Sequence, residues 1–295
     1  MRTYTYKKVG DLEIQANVHG AEEGFSKPTI LWIHGGALIV GSRNGPRKDQ
    51  LAAYLDAGYL LVSIDYRLAP ETKIPGIVED LSDAMTWIAE EGPDLFGADP
   101  ERLAVIGHSA GGYLTLMAGF CSEVKPKALV PFYGYGDIVG DWYSKPDPFY
   151  RKQELVPEDR ARSRVGTEEI ANDIGTEKRG EFYLYCRQNG LWPKEVGGAD
   201  PETDPEFFIP YSPVKNVDEN YPPTLLLHGD NDTDVPYVQS VLFAETLKRN
   251  GVEYELITIE DGPHGFDGRN GGLADPENAK VFERVLTFLD KYLKG

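Results

Sequence analysis

Leu103-Ala104-Val105-Ile106-Gly107-His108-Ser109-Ala110-Gly111-Gly112-Tyr113-Leu114 is the stretch whose reading decides the fold. Its first four residues are an apolar run of strand length, and Tyr113 to Phe120 continue as a run that suits a helix. Between them, Gly107-His108-Ser109-Ala110-Gly111 fits G-x-S-x-G, in which a strand turns sharply into a helix and the serine hydroxyl stands exposed above the sheet. The five-letter string by itself is weak, because glycine and serine are common. The strand before it and the helix after it are the setting the motif demands, and they make it specific.

Outward from this turn, short apolar runs alternate with helical ones. Thr29 to Ile33 and Leu60 to Ile64 read as strands, with helices near Arg47 to Ala57 and Val78 to Glu90. Beyond the serine, the strands are Ala128 to Phe132, Thr224 to Leu227 and Tyr254 to Ile259, with helices from Ala110 to about Cys121, from Tyr237 to Arg249 and near Asn278 to Tyr292. Wholly apolar strands suit a sheet covered on both faces, and the alternation specifies a mostly parallel α/β sheet. At the start, Thr3 to Val9 and Leu12 to His19 flank Val9-Gly10-Asp11 as an antiparallel hairpin at the sheet edge.

Between Gly134 and Pro213 the alternation fails. This charged stretch of helical fragments contains Trp142, Tyr143, Phe149, Tyr150, Phe182, Tyr183, Tyr185 and Trp192, and it reads as a cap inserted after a core strand. Most of these aromatics are expected to form the cap's own small core. The chain is therefore expected to be one domain, 1–295, with a cap insertion over 134–213.

An exposed serine hydroxyl is a poor nucleophile until a neutral imidazole takes its proton, and that imidazole needs a carboxylate to orient it. In this type of fold the acid and the histidine follow the serine in the chain, so His228 and His264 are the candidates. His228 ends a buried-looking strand and would need its acid upstream. His264 lies in a loop just past a strand and is the expected base. For the acid, Gly229-Asp230-Asn231-Asp232-Thr233-Asp234 places three aspartates in one turn after a strand, and spacing does not choose among them. Asp234, just before Val235-Pro236, also resembles a helix-start residue, and Asp230 could serve the turn. Acyl transfer further needs donors for an oxyanion, and His34-Gly35-Gly36-Ala37 directly after a strand supplies compact backbone amides, joined by the amide of Ala110.

With Asp+Glu 48 against Lys+Arg 30, the net charge of -18 opposes binding to phosphate backbones, so no nucleic-acid partner is expected. The opening residues lack an apolar run and no stretch nears the roughly 18 apolar residues of a membrane span, from which a cytoplasmic location is expected. Cys121 and Cys186 form no C-x-x-C pair and read as free thiols. No metal-ligand motif, phosphate loop or complete dinucleotide fingerprint is present, so no metal and no cofactor is expected. A homo-oligomer is compatible with all of this.

Taken together, His34-Gly35-Gly36, Asp65-Tyr66-Arg67-Leu68-Ala69-Pro70-Glu71, Gly107 to Gly112, His228-Gly229-x-x-Asp232 and His264-Gly265-Phe266 resemble the hormone-sensitive-lipase-like carboxylesterases and the bacterial acetyl and feruloyl esterases of the α/β-hydrolase superfamily. The resemblance runs from about Pro28 to the C-terminus, the cap excluded. It implies the α/β-hydrolase fold, a catalytic triad of Ser109, Asp232 and His264, and oxyanion donors Gly36, Ala37 and Ala110. It breaks the tie among the aspartates in favour of Asp232, and it makes Arg67 and Glu71 anchors of their loop. Two departures stand out: Ala37 replaces the third glycine of H-G-G-G, and the N-terminal helices that cap many such enzymes are missing. Alanine keeps the donor amide. The expected activity is hydrolysis of small, neutral or aromatic carboxylic esters, with no cofactor. The same triad also serves amide bonds, and a peptidase would need an amine anchor such as Glu154, Glu158 or Glu181.

Overall fold

A computed structural model describes all residues except Glu23 and Glu177. Its centre is an eight-stranded sheet in the order β1-β2-β4-β3-β5-β6-β7-β8. The strands are β1 (Arg2–Val9), β2 (Leu12–His19), β3 (Lys27–Ile33), β4 (Leu60–Ile64), β5 (Ala98–His108), β6 (Ala128–Phe132), β7 (Thr224–Gly229) and β8 (Tyr254–Ile259). β1 and β2 form the antiparallel hairpin, β2 runs antiparallel to β4, and every other neighbouring pair is parallel.

Successive residues of the central strands enter two different cores. Leu31, Ile33, Val105 and Leu129 face one, together with Ile77 and Leu81 of α2 (Ile74–Glu90), Leu114 of α4 (Ala110–Met117) and Phe243 of α8 (Val238–Arg249). Ile30, Trp32, Ile106 and Val130 face the other, with Tyr54 of α1 (Lys48–Asp56) and Val285 and Leu289 of α9 (Pro276–Leu293). Each such side chain, once fully buried, contributes roughly 1.5–3 kcal/mol. Covering both faces is why these strands carry unbroken apolar runs instead of an alternating pattern.

Three boundaries differ from the sequence expectation. β5 begins at Ala98, because Ala98 and Asp99 pair with Lys27 and Pro28 before a register shift, and the polar Asp99-Pro100-Glu101 hid this from the apolar pattern. α2 begins at Ile74, where Pro75 occupies the first turn, a position that costs proline no hydrogen bond. α4 stops at Met117, since Gly119 weakens the helix and packs under the Tyr221 ring so closely that a Cβ would lie 2.3 Å from it. A short helix, α3 (Gly92–Phe96), precedes β5.

Between β6 and β7 the described residues form three short α-helices, α5 (Asp141–Ser144), α6 (Glu158–Arg162) and α7 (Gly180–Asn189), together with shorter 3-10 and π-helical pieces. Trp142 stacks on Tyr143 at 3.6 Å and Tyr143 on Trp192 at 4.1 Å between ring centroids, but Tyr143, Phe182, Tyr185 and Trp192 do not form the separate small core expected: they join the core that holds Leu31 and Val105. Two buried residues before the segment, Arg67 and Glu71, tie it to the core through ion pairs. Arg67 binds Asp80 of α2 and also Glu169, and Glu71 binds Arg179 just before α7. Both residues of the Asp65 to Glu71 stretch thus act as anchors of their loop.

Candidate active site

β5 leads into α4 through Ser109, whose backbone sits at φ 56° and ψ -118°. A left-handed φ is costly for a residue with a side chain, and here the surroundings enforce it. The amide of Ser109 donates to the Phe132 carbonyl at 2.9 Å. Glycines make the sharp turn possible: a Cβ on Gly107 would lie 2.1 Å from the Gly111 carbonyl oxygen, and one on Gly111 would lie 2.2 Å from that of Ile33. Strand and helix therefore close on each other to a distance that no larger residue permits.

His264 follows β8 in the loop before a short turn, and the loop after β7 brings Asp232 to it. The imidazole Nδ1 donates to Asp232 Oδ2 at 2.7 Å. The Asp232 side chain is fully buried, and its other oxygen accepts the backbone amides of Asp234 and Val235 at 2.8 and 2.9 Å. Burial pushes the Asp232 carboxyl up, but hydrogen bonds from His228 and His264, the charge of His264 and the Asp234 amide outweigh it and hold the group far below the usual carboxylate range. For His264, burial pulls the pKa down. The bond to Asp232 and the charges of Asp234 and Asp232 outweigh this, and the imidazole ends above its ordinary value.

His228 is engaged elsewhere. Its Nδ1 lies 2.7 Å from the Ser240 hydroxyl, and its Nε2 lies 3.0 Å from the Val235 carbonyl and 3.2 Å from Asp232 Oδ2. It braces the loop that carries Asp232 and is not on the wall of the cavity that Ser109 lines. Asp230 is exposed to solvent. Asp234 does not cap α8, contrary to its appearance in the sequence: the residue at the start of that helix is Tyr237. Instead, Asp234 Oδ1 accepts from Arg187 Nη1 at 2.7 Å and from the Tyr183 hydroxyl, and its Oδ2 faces His264 Nε2 at 3.5 Å.

Ser109 and His264 line one cavity of about 350 Å³ with Gly35, Gly36, Ala37, Tyr133, Tyr183 and Asp234. No hydrogen bond joins Ser109 to His264 here. The turn after β3 carries Ala37 at φ 56° and Leu38 at φ 62°, and the amides of Gly36 and Ala37 have no acceptor among the described residues. Ala110 is the first residue of α4, so its amide has no partner within the helix. A second chamber of about 430 Å³ shares Gly35, Gly36, His108, Tyr133 and Gly265 with the first, and Trp32, Gln50 and Asp267 extend its wall.

Three contributors were not visible as such in the sequence. Tyr133, the residue after β6, sets its ring edge against His264 at 4.7 Å and donates its hydroxyl to Asp267 Oδ1 at 2.7 Å. Asp267 also accepts from Gln50 at 2.8 Å and lies 3.4 Å from His108 Nε2. Arg187, buried in α7, binds Asp147 and Asp234 and lies 4.6 Å from the Tyr150 ring centroid. No motif marks any of them; only the position of Asp267 directly after His264-Gly265-Phe266 is a hint. Conversely, Glu154, Glu158 and Glu181 pair with Arg160, Arg162 and Arg164, and none of the three lines the cavity, so they offer no amine anchor there. Among the described residues, no helix is long and apolar enough to cross a membrane.

Comparison with known proteins adds the following. Residues 30–268 match a family model described as alpha/beta hydrolase fold. A non-reducing polyketide synthase from Penicillium rubens is 27% identical over 339 residues, an alignment that takes in 99% of this chain and 14% of the synthase. A synthase of the same description from Stereocaulon alpinum is 29% identical over 308 residues, covering 90% of this chain and 12% of its own length. The chain thus spans only 12–14% of the length of these curated relatives. Among solved structures, a protein of unknown function from Staphylococcus aureus superposes with a TM-score of 0.80 at 21% identity, over 99% of this chain and 100% of that one. An esterase from Pyrobaculum calidifontis superposes with a TM-score of 0.69 at 23% identity, over 95% of this chain and 81% of its own. At these identities the structural likeness is one of fold.

Proposed function

This chain belongs to the alpha/beta hydrolase fold family, and from that premise we propose that it is a serine carboxylesterase acting through an acyl-enzyme. One observation carries the reading: a serine on a strained strand-to-helix turn shares a cavity with an imidazole that donates to a buried carboxylate at 2.7 Å, beside backbone amides that lack acceptors. The hormone-sensitive-lipase-like motifs and the esterase among the structural neighbours support it.

Ser109 Oγ attacks the ester carbonyl while His264 Nε2 takes its proton. Asp232 keeps the neutral ring in the tautomer with Nδ1 protonated, so that Nε2 is free to accept, and it stabilises the imidazolium that forms. The amides of Gly36, Ala37 and Ala110 receive the oxyanion. Collapse of the tetrahedral intermediate expels the alcohol with the proton from Nε2, and water repeats the sequence to release the acid. The segment 134–213 acts as the cap that walls the site, and it supplies Tyr183 to the cavity. The two adjoining chambers hold the acyl and alcohol parts of a small ester.

The test is turnover of p-nitrophenyl acetate together with labelling by a fluorophosphonate. Wild type should hydrolyse the ester and be labelled at Ser109, and Ser109→Ala should lose at least about 10³-fold in kcat and all labelling. A folded wild-type protein that does neither would sink the proposal.

A further inference from the structure

We propose that Asp234 makes this site selective for esters whose alcohol part carries an ammonium group, an inference that rests on the esterase reading above. Among the described residues, Asp234 is the one carboxylate on the wall of the catalytic cavity, and no lysine or arginine lines that wall. Its two oxygens differ. Oδ1 is taken by Arg187 and Tyr183, while Oδ2 faces His264 Nε2 at 3.5 Å.

Nε2 is the atom that returns the proton to the leaving oxygen, so the departing alcohol lies on the side of the imidazole where Oδ2 stands. Arg187 does not cancel this carboxylate. It is one cation shared between Asp147 and Asp234, it binds Asp234 from the Oδ1 side, and it is buried with only 1% of its side chain exposed. The group of three keeps a net negative charge facing the cavity. Tyr183 and Tyr133 line the same wall, and aromatic rings attract a desolvated ammonium. The chain's net charge of -18 adds an attractive field for cationic substrates and a repulsive one for anions.

The test compares acetylcholine with 3,3-dimethylbutyl acetate, which has the same shape with a carbon atom in place of the charged nitrogen. Both are measured on the pH plateau, for wild type and Asp234→Asn. The expected result is a kcat/KM ratio of about ten or more in favour of the charged ester in wild type, falling to about one in the variant. Because both esters are assayed on the same sample, the ratio does not depend on how much of the variant folds. A wild-type ratio of one or less, or a ratio that survives Asp234→Asn, would overturn the proposal. Should neither ester react while p-nitrophenyl acetate does and Ser109 is labelled, this inference fails and the esterase reading stands. Should Ser109 stay unlabelled and no ester react, both fall.

Discussion

His264 and Asp232 meet through a single hydrogen bond of 2.7 Å, and the carboxylate that accepts it spends its other oxygen on the backbone of its own loop. The Asp232 carboxylate is thereby fixed by its own loop. It cannot turn away from the imidazole without losing two backbone amides.

Asp232→Asn should therefore damage both chemistry and fold. The amide cannot be the same acceptor on both sides, the imidazole loses its favoured tautomer, and kcat should fall by about 10³–10⁴. Leaving buried donors of His228 and His264 poorly matched should cost roughly 1–3 kcal/mol. Steady-state turnover and urea unfolding measure the two effects; a variant within tenfold of wild type would show that another group orients the base.

The pH profile follows from His264. Its folded pKa lies above the ordinary 6.5 because the bond to Asp232 and the charges of Asp234 and Asp232 outweigh burial and the opposing charge of Arg187. A general base works when neutral, so kcat/KM should rise with pH along a limb centred above 6.5. Asp234→Asn removes one raising charge and should move that limb to lower pH. The linked stability has the opposite sense: the stabilising effect of protonated His264 is full below the unfolded pKa and is lost as pH rises through the folded one. A limb unmoved by Asp234→Asn would contradict the assignment.

Gly107→Ala tests the turn itself. The added methyl would sit 2.1 Å from the Gly111 carbonyl oxygen, which is backbone and cannot rotate aside. Separating strand from helix should cost about 1–3 kcal/mol and displace Ser109. Denaturant unfolding and p-nitrophenyl acetate turnover should both report the loss, and a stable, fully active variant would mean that the turn is looser than described.

Arg187→Met removes the cation shared by Asp147 and Asp234 and its stack on Tyr150. Taking one partner from a buried ion pair costs about 3–5 kcal/mol, because the carboxylates stay behind unpaired. Arg187→Lys should recover only part of it, since a single ammonium cannot reproduce the guanidinium fork. If Arg187→Met unfolds within about 1 kcal/mol of wild type, the segment is held chiefly by its apolar and aromatic packing.

Local chemistry made much of this protein legible in one dimension. Unbroken apolar strands require a sheet covered on two faces, and the alternation of strand and helix requires that sheet to be mostly parallel; both features are present. The G-x-S-x-G turn was readable because its small residues answer a steric need within a few residues of chain. The three aspartates after β7 were not separable by spacing, because all three lie within reach of a loop. Only side-chain direction distinguishes them: Asp232 turns inward to His264, Asp230 faces water, and Asp234 turns to the opposite nitrogen of the same ring.

What the order of residues determined alone was the sheet, the serine's turn and the short set of candidate groups for the proposed acyl chemistry, because those depend on periodicity and on sterics between near neighbours. Which aspartate meets the imidazole, and the placing of Tyr133, Asp267 and Arg187 around it, was decided by the folded chain. Those contacts join residues up to 217 positions apart, as from Gln50 to Asp267, and hydrogen-bond geometry at such separations exists only after packing has set the distance and the angle.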